Sequence, residues 1–164
     1  MRDQAVTTLQ LIRVLAQDSL VGIVVTDVLI DQPGPIILYA NVAFGLLVGR
    51  DPDEIIGLSP RFMQGRETRR TTLDEYRRAL SAGQRFHGYL TNYMADGTKY
   101  RAEIDCRPLR NASGRIEGFV AFERAVTRRI GRPVTGGSGR YNPLSVSNDL
   151  LSRPLQAIGV FQDF

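Results

Sequence analysis

Glu54-Ile-Ile-Gly57-Leu-Ser-Pro60-Arg61-Phe62-Met63-Gln64-Gly65 combines three kinds of residue within twelve positions. Gly57 and Gly65 permit backbone geometries closed to other residues. Ile55, Ile56, Phe62 and Met63 are core-forming. Arg61 and Gln64 stand three apart, so a helical turn points both the same way and lays a cation and an amide along one ligand. From these residues alone, a surface turn joining two helices is the preferred account.

Outward from this stretch the chain falls into strand and helix blocks. Residues 3–17 have the spacing of an amphipathic helix through Val6, Leu9, Ile12 and Leu15-Ala16, ended by Asp18-Ser19. Residues 20–27 are β-branched and almost wholly apolar, as in a strand buried on both faces. A turn at 31–34 leads to a returning strand at 35–40. Asn41 and Asp51 are placed to cap short helices ending at Leu47 and Ile56, the second with Pro52 at its first position. Residues 68–82 form a strong helical pattern through Leu73, Tyr76 and Leu80, with Gly83 as its stop. Three strand-like runs follow at 85–94, 98–109 and 115–126. Asp96-Gly97 and Asn111-Ala-Ser-Gly114 supply the hairpin turns between them.

The order β-β, helices, β-β-β predicts an α+β domain: a five-stranded antiparallel sheet with helices on one face. Composition shifts after Arg129. Residues 131–139 read as a flexible linker, and 148–161 as a last amphipathic helix through Leu151, Leu155 and Ile158. The expected organisation is an N-terminal helix at 1–19, a domain at 20–129, a linker at 130–147 and a C-terminal helix or tail at 148–164.

This order resembles the PAS fold, and the central stretch resembles the signature of its LOV subfamily. That signature reads Gly-x-Asn-Cys-Arg-Phe-Leu-Gln-Gly around a bound flavin; here Gly57 to Gly65 fit without a gap. Leu90-Thr91-Asn92-Tyr93 and Asp96-Gly97-Thr98 match a second family motif. The resemblance covers roughly residues 20–126. It implies a PAS fold and an FMN site, with Arg61 and Arg77 on the phosphate, Gln64 on the ribityl chain and Asn92 on the pyrimidine edge. Guanidinium groups suit phosphate through their bidentate fork.

Four family positions differ. Pro60 stands where the photoreactive cysteine would be. Ser59 and Ala102 replace asparagines, and Glu123 replaces a glutamine. An ionised carboxylate against a flavin carbonyl is repelled unless its pKa rises and it stays protonated. The resemblance therefore leaves FMN binding without covalent photochemistry open beside a ligand-free domain.

Strand alternation assigns the faces. Ala102, Ile104, Cys106, Phe119 and Ala121 go with Glu123 toward the helices. His87, Tyr89, Thr91, Tyr93, Val120 and Phe122 go to the opposite face, an apolar patch expected to be exposed and to serve as a homodimer or docking surface.

The remaining composition narrows the function classes. The chain has 164 residues, 43% hydrophobic and 23% charged, with formal net charge +4. That suits one core plus extensions. No apolar run is long enough to span a membrane, and a single Cys106 fits a reducing, cytoplasmic setting. One cysteine and one histidine argue against a metal site and provide no nucleophile–base–acid set, so no enzyme is expected. Arginines cluster at 66–70, 77–78 and 128–132 without a nucleic-acid-binding motif; solvated helix faces and a basic linker are the reading adopted. Two functions remain: a LOV-like sensory module that binds FMN and signals through its flanking helices to a separate output protein, or a ligand-free interaction and dimerisation domain.

Overall fold

The apolar run of residues 20–27 becomes β1 (Gly22–Thr26), with every residue buried. The computed structural model describes residues 7–130, 140–143 and 151–163. Around β1 lies an antiparallel sheet in the order β2-β1-β5-β4-β3, built from β2 (Ile37–Ala40), β3 (Phe86–Tyr93), β4 (Lys99–Arg110) and β5 (Ile116–Arg128). β3 pairs with β4 from Phe86↔Cys106 to Tyr93↔Lys99, and β1 with β5 from Gly22↔Glu123 to Thr26↔Phe119. The two expected turns close the long hairpins. Gly97 and Gly114 sit at φ +86° and +83°, a region glycine enters without cost. Asp96 and Asn111 side chains accept backbone N–H bonds across the same turns.

A sixth strand, β6 (Tyr141–Pro143), pairs with the end of β5 from Val126↔Pro143 to Arg128↔Tyr141. It falls inside the stretch read as linker. Three residues between turn-rich segments carry too little pattern to announce a strand; the open edge of β5 beyond β1 provides the partner. The linker core at 131–139, and the 144–150 segment, lie outside the described residues.

The helices between β2 and β3 stack on one face. Asn41 caps α2 (Val42–Val48) by accepting the Phe44 N–H at 2.9 Å. It does more than the sequence implied: the same oxygen accepts the Ile23 N–H, and the amide nitrogen donates to Ala16 and Val21 carbonyls. One buried amide thus fixes α1, β1 and α2 together. Asp51 caps α3 (Pro52–Ile55), and Ser59 caps a short 3-10 turn at Pro60–Met63. The long helix α4 (Arg70–Ser81) directs Leu73, Tyr76, Ala79 and Leu80 into the inner core. That core includes Ile37, Phe44, Val48, Ile55, Ile104 and Phe119.

The opposite face of the sheet is covered as well, which corrects the expectation of an exposed patch. Val120 and Phe122 are each only 7% exposed. Helix α1 (Thr8–Ala16) packs Leu9, Ile12 and Ala16 onto them, and α5 (Ser152–Ala157) with its following residues adds Leu155, Val160 and Phe161. Full burial of side chains of this kind is worth about 1.5–3 kcal/mol each, enough to hold both flanking segments on the sheet. Of the expected C-terminal stripe, Leu151 and Leu155 face the sheet, while Ile158 points to solvent. No helix among the described residues is long and apolar enough to cross a membrane.

Candidate functional site

Between the inner face of the sheet, α4 and the 3-10 turn lies a cavity of about 130 Å³. Strand alternation builds its floor: Ile104 and Cys106 from β4, Phe119, Ala121 and Glu123 from β5, Leu90 and Asn92 from β3. Arg61, Gln64, Arg77, Asn92 and Glu123 all line it, as does Pro60. Two other sequence candidates do not. Ser59 is used as the cap of the 3-10 turn. Ala102 is fully buried in the inner core, without a polar atom to offer.

The two arginines stand on the loop side of the cavity. Arg61 donates through Nε to the Gly34 carbonyl and through Nη2 to the Ile30 carbonyl, both at 2.9 Å. Arg77 forms an ion pair with Asp31. The 30–34 loop is therefore held against the site by the two cations the sequence singled out. Asp31 itself was read only as a turn residue; its role depends on a contact 46 positions away.

Deeper in, Glu123 is 3% exposed and its Oε2 is buried with no hydrogen-bond partner. Burial pushes its carboxyl up to about 8, so it carries its proton at neutral pH. A protonated carboxyl offers one donor and one acceptor, the same pair as the glutamine amide that Glu123 replaces. The repulsion expected of an ionised carboxylate does not arise. Asn92 is also buried, and the Tyr100 hydroxyl nearby donates to Met63 Sδ at 3.9 Å. Tyr76 stacks on Phe86 at 4.2 Å and lines the cavity with Cys106, whose thiol burial pushes up to about 12. That thiol is not a nucleophile at neutral pH. Tyr76 and Cys106 have core-like sequence positions, and only their convergence with Glu123 marks them as part of the site.

On the outer face the same two strands carry charge. Asp105 is 0% exposed and receives Arg85 and Arg107, with an Oδ2 bond from the Phe161 N–H at 2.8 Å. Arg85 also donates to the Gly159 and Gln162 carbonyls, and Arg107 to that of Ile158. His87 bridges Glu103 at 2.8 Å and Asp163 at 2.7 Å. It is thus a link between the outer sheet face, where strand alternation put it, and the C-terminal segment. Hydrogen bonding to Glu103 raises its pKa against the opposing effect of burial, and Asp163 adds to the rise. Because residues alternate, Cys106 faces the cavity while Asp105 and Arg107 grip the C-terminal segment. Sheet and clamp are one continuous piece of backbone.

The sequence profile of the PAS domain family matches residues 20–128. The chain is 29% identical over 110 residues to the bacterioopsin transcriptional activator of Halobacterium salinarum, covering 67% of this chain and 16% of that protein. It is 30% identical over 114 residues to phototropin-2 of Oryza sativa subsp. japonica, covering 68% and 13%. It thus spans less than a fifth of the length of these relatives. The light-state structure of the blue-light photoreceptor Aureochrome1 LOV superposes with TM-score 0.61 at 32% identity, covering 71% of this chain and 89% of that one. With the profile matched from the start of β1 to the end of β5, the chain belongs to the PAS domain family.

Proposed function

We propose that this PAS domain is a LOV-like sensory module that holds FMN non-covalently in the inner cavity and signals through the segments on its outer face. The observation that carries the reading is the orphaned, protonated Glu123, buried beside Asn92 in a cavity with Arg61 and Arg77 on its loop side. A buried polar group without a partner costs about 1–3 kcal/mol, and a heteroaromatic edge with complementary donors and acceptors relieves that cost. Arg77 would hold the phosphate in exchange for Asp31, and Arg61 would assist from the 3-10 turn. Gln64 would meet the ribityl chain, and Asn92 and Glu123 the ring edge. Bound flavin supplies absorption of blue light. With Pro60 in the wall and Cys106 locked as a thiol, no cysteinyl adduct forms there.

The output would run through β4 and β5 to α1 and the 151–163 segment, and from them to a separate output protein. A second reading, the ligand-free interaction domain, rests on α1. Its outward residues Leu11, Val14 and Leu15 are exposed, Val14 by 69%, and would form the homodimer or docking contact in place of the covered sheet face.

The test compares Arg77→Ala with Arg78→Ala, each titrated with FMN and riboflavin. Arg77 lines the cavity, whereas Arg78 bonds the Asp74 carbonyl on its own helix. Charge-assisted bonds contribute about 1.5–3 kcal/mol, so Arg77→Ala should lose tenfold or more in FMN affinity and little for riboflavin. Illumination should leave the blue band unbleached or pass to reduced flavin. Equal behaviour of the two variants would refute the FMN assignment and favour the interaction domain.

A further inference from the structure

Two arginine clusters far apart in sequence meet in space. Arg69, at the start of α4, and Arg128, at the end of β5, open onto one groove of about 800 Å³ that also contains Lys99, Arg101, Arg140 and Tyr141. Its single carboxylate among the described residues, Glu67, pairs with Lys99 at 2.7 Å. Among the described residues no carboxylate pairs with Arg69, Arg101, Arg128 or Arg140. The Arg101 guanidinium lies 5.4 Å from the centre of the Tyr141 ring and donates to the Thr91 hydroxyl. Its Nε is buried with no hydrogen-bond partner.

We infer that this groove binds the phosphodiester backbone of a single-stranded nucleic acid, at a site separate from the inner cavity. Four cations without carboxylate partners in one open groove can receive several negative charges at once, more than one phosphate provides. Among the described residues no aliphatic side chain lines the groove, so an acyl chain or apolar peptide finds nothing to bury against them. Tyr141, stacked on Tyr89 at 4.4 Å with the Arg101 guanidinium over its ring, forms a wall of the groove, and a flexible single strand can follow cations spread along such a groove. Sequence alone left these arginines as solvated faces because Arg69 and Arg128 are separated by two hairpins that only the folded sheet brings together.

The experiment is fluorescence anisotropy of an end-labelled ten-nucleotide oligouridylate with the full chain. Neutralising about four phosphates predicts a log–log salt slope near −2.8, a roughly 50-fold loss between 50 and 200 mM salt. Arg128→Ala/Arg140→Ala should about halve the slope. Arg69→Ala, on another element, should reduce it by about 0.7. Arg78→Ala makes the same charge change outside the groove and should leave the slope unchanged. Absence of binding at 50 mM salt, or equal loss in Arg78→Ala, overturns the inference. So does displacement by inorganic tripolyphosphate as effective, per phosphate, as unlabelled oligomer, which would reduce the groove to a simple anion site. None of these outcomes depends on flavin.

Discussion

Asp105→Asn removes one charge and almost no volume, and it should release the C-terminal segment from the sheet. The carboxylate has no exposure. It receives Arg85 Nη2 at 2.7 Å, Arg107 Nε at 3.0 Å and the Phe161 amide at 2.8 Å. Burial opposes its ionisation, but the bonds from Arg85, Arg107 and Phe161 outweigh that and hold the carboxyl below its ordinary value. Removing one partner from a buried charge cluster costs about 3–5 kcal/mol, because the remaining charges stay desolvated. Here two guanidiniums would be left facing each other, and both hold carbonyls of residues 158–162. The cost should therefore appear first as local opening. A loss of about 3 kcal/mol corresponds to roughly a hundredfold fall in protection. Amide hydrogen exchange read by NMR should show that fall at Phe161, with α4 amides unchanged. The wild-type clamp should hold above about pH 4 and fail as pH drops through the lowered carboxyl pKa, since a depressed acid stabilises only while ionised. Unchanged Phe161 protection in Asp105→Asn would refute the view that this carboxylate secures the segment.

Two further outcomes follow from buried protons. Glu123 has a folded pKa raised to about 8, so the folded state holds a proton the unfolded chain releases, and wild-type stability should fall as pH rises from about 4.5 to 8. Glu123→Gln should abolish that slope and gain a few kcal/mol at pH 7 in urea titrations; superimposable pH–stability curves for the two proteins would contradict the buried, protonated acid. His87 has its pKa raised by Glu103 and Asp163, so its contribution to docking is complete below about pH 6.5 and is lost as pH rises through the folded value. Protection factors at Phe161 should decline over that window in wild type and not in His87→Gln, and identical profiles would remove His87 from the clamp.

The sequence by itself determined what local physics sets. Alternation along 98–109 and 115–126 separated Ile104, Cys106, Ala121 and Glu123 from Val120 and Phe122, and the structure places the two sets on opposite faces. Asn41, Asp51 and the two hairpin turns were legible because caps and turns use residues within a few positions of one another. The family motif likewise pointed to Arg61, Gln64, Arg77, Asn92 and Glu123, and five strands of the α+β sheet were evident. Tertiary structure alone decided the rest. The covering of Val120 and Phe122 depends on where α1 and residues 151–163 come to rest, and neither segment's pattern names its partner. The short β6 exists because β5 has a free edge. The raised pKa of Glu123 comes from its burial between distant elements, and the pairing of Asp105 with Arg85, Arg107 and Phe161 spans up to 56 positions. Burial and charge pairing are properties of the space around a side chain. That space is filled by residues distant in sequence, so no local pattern encodes it.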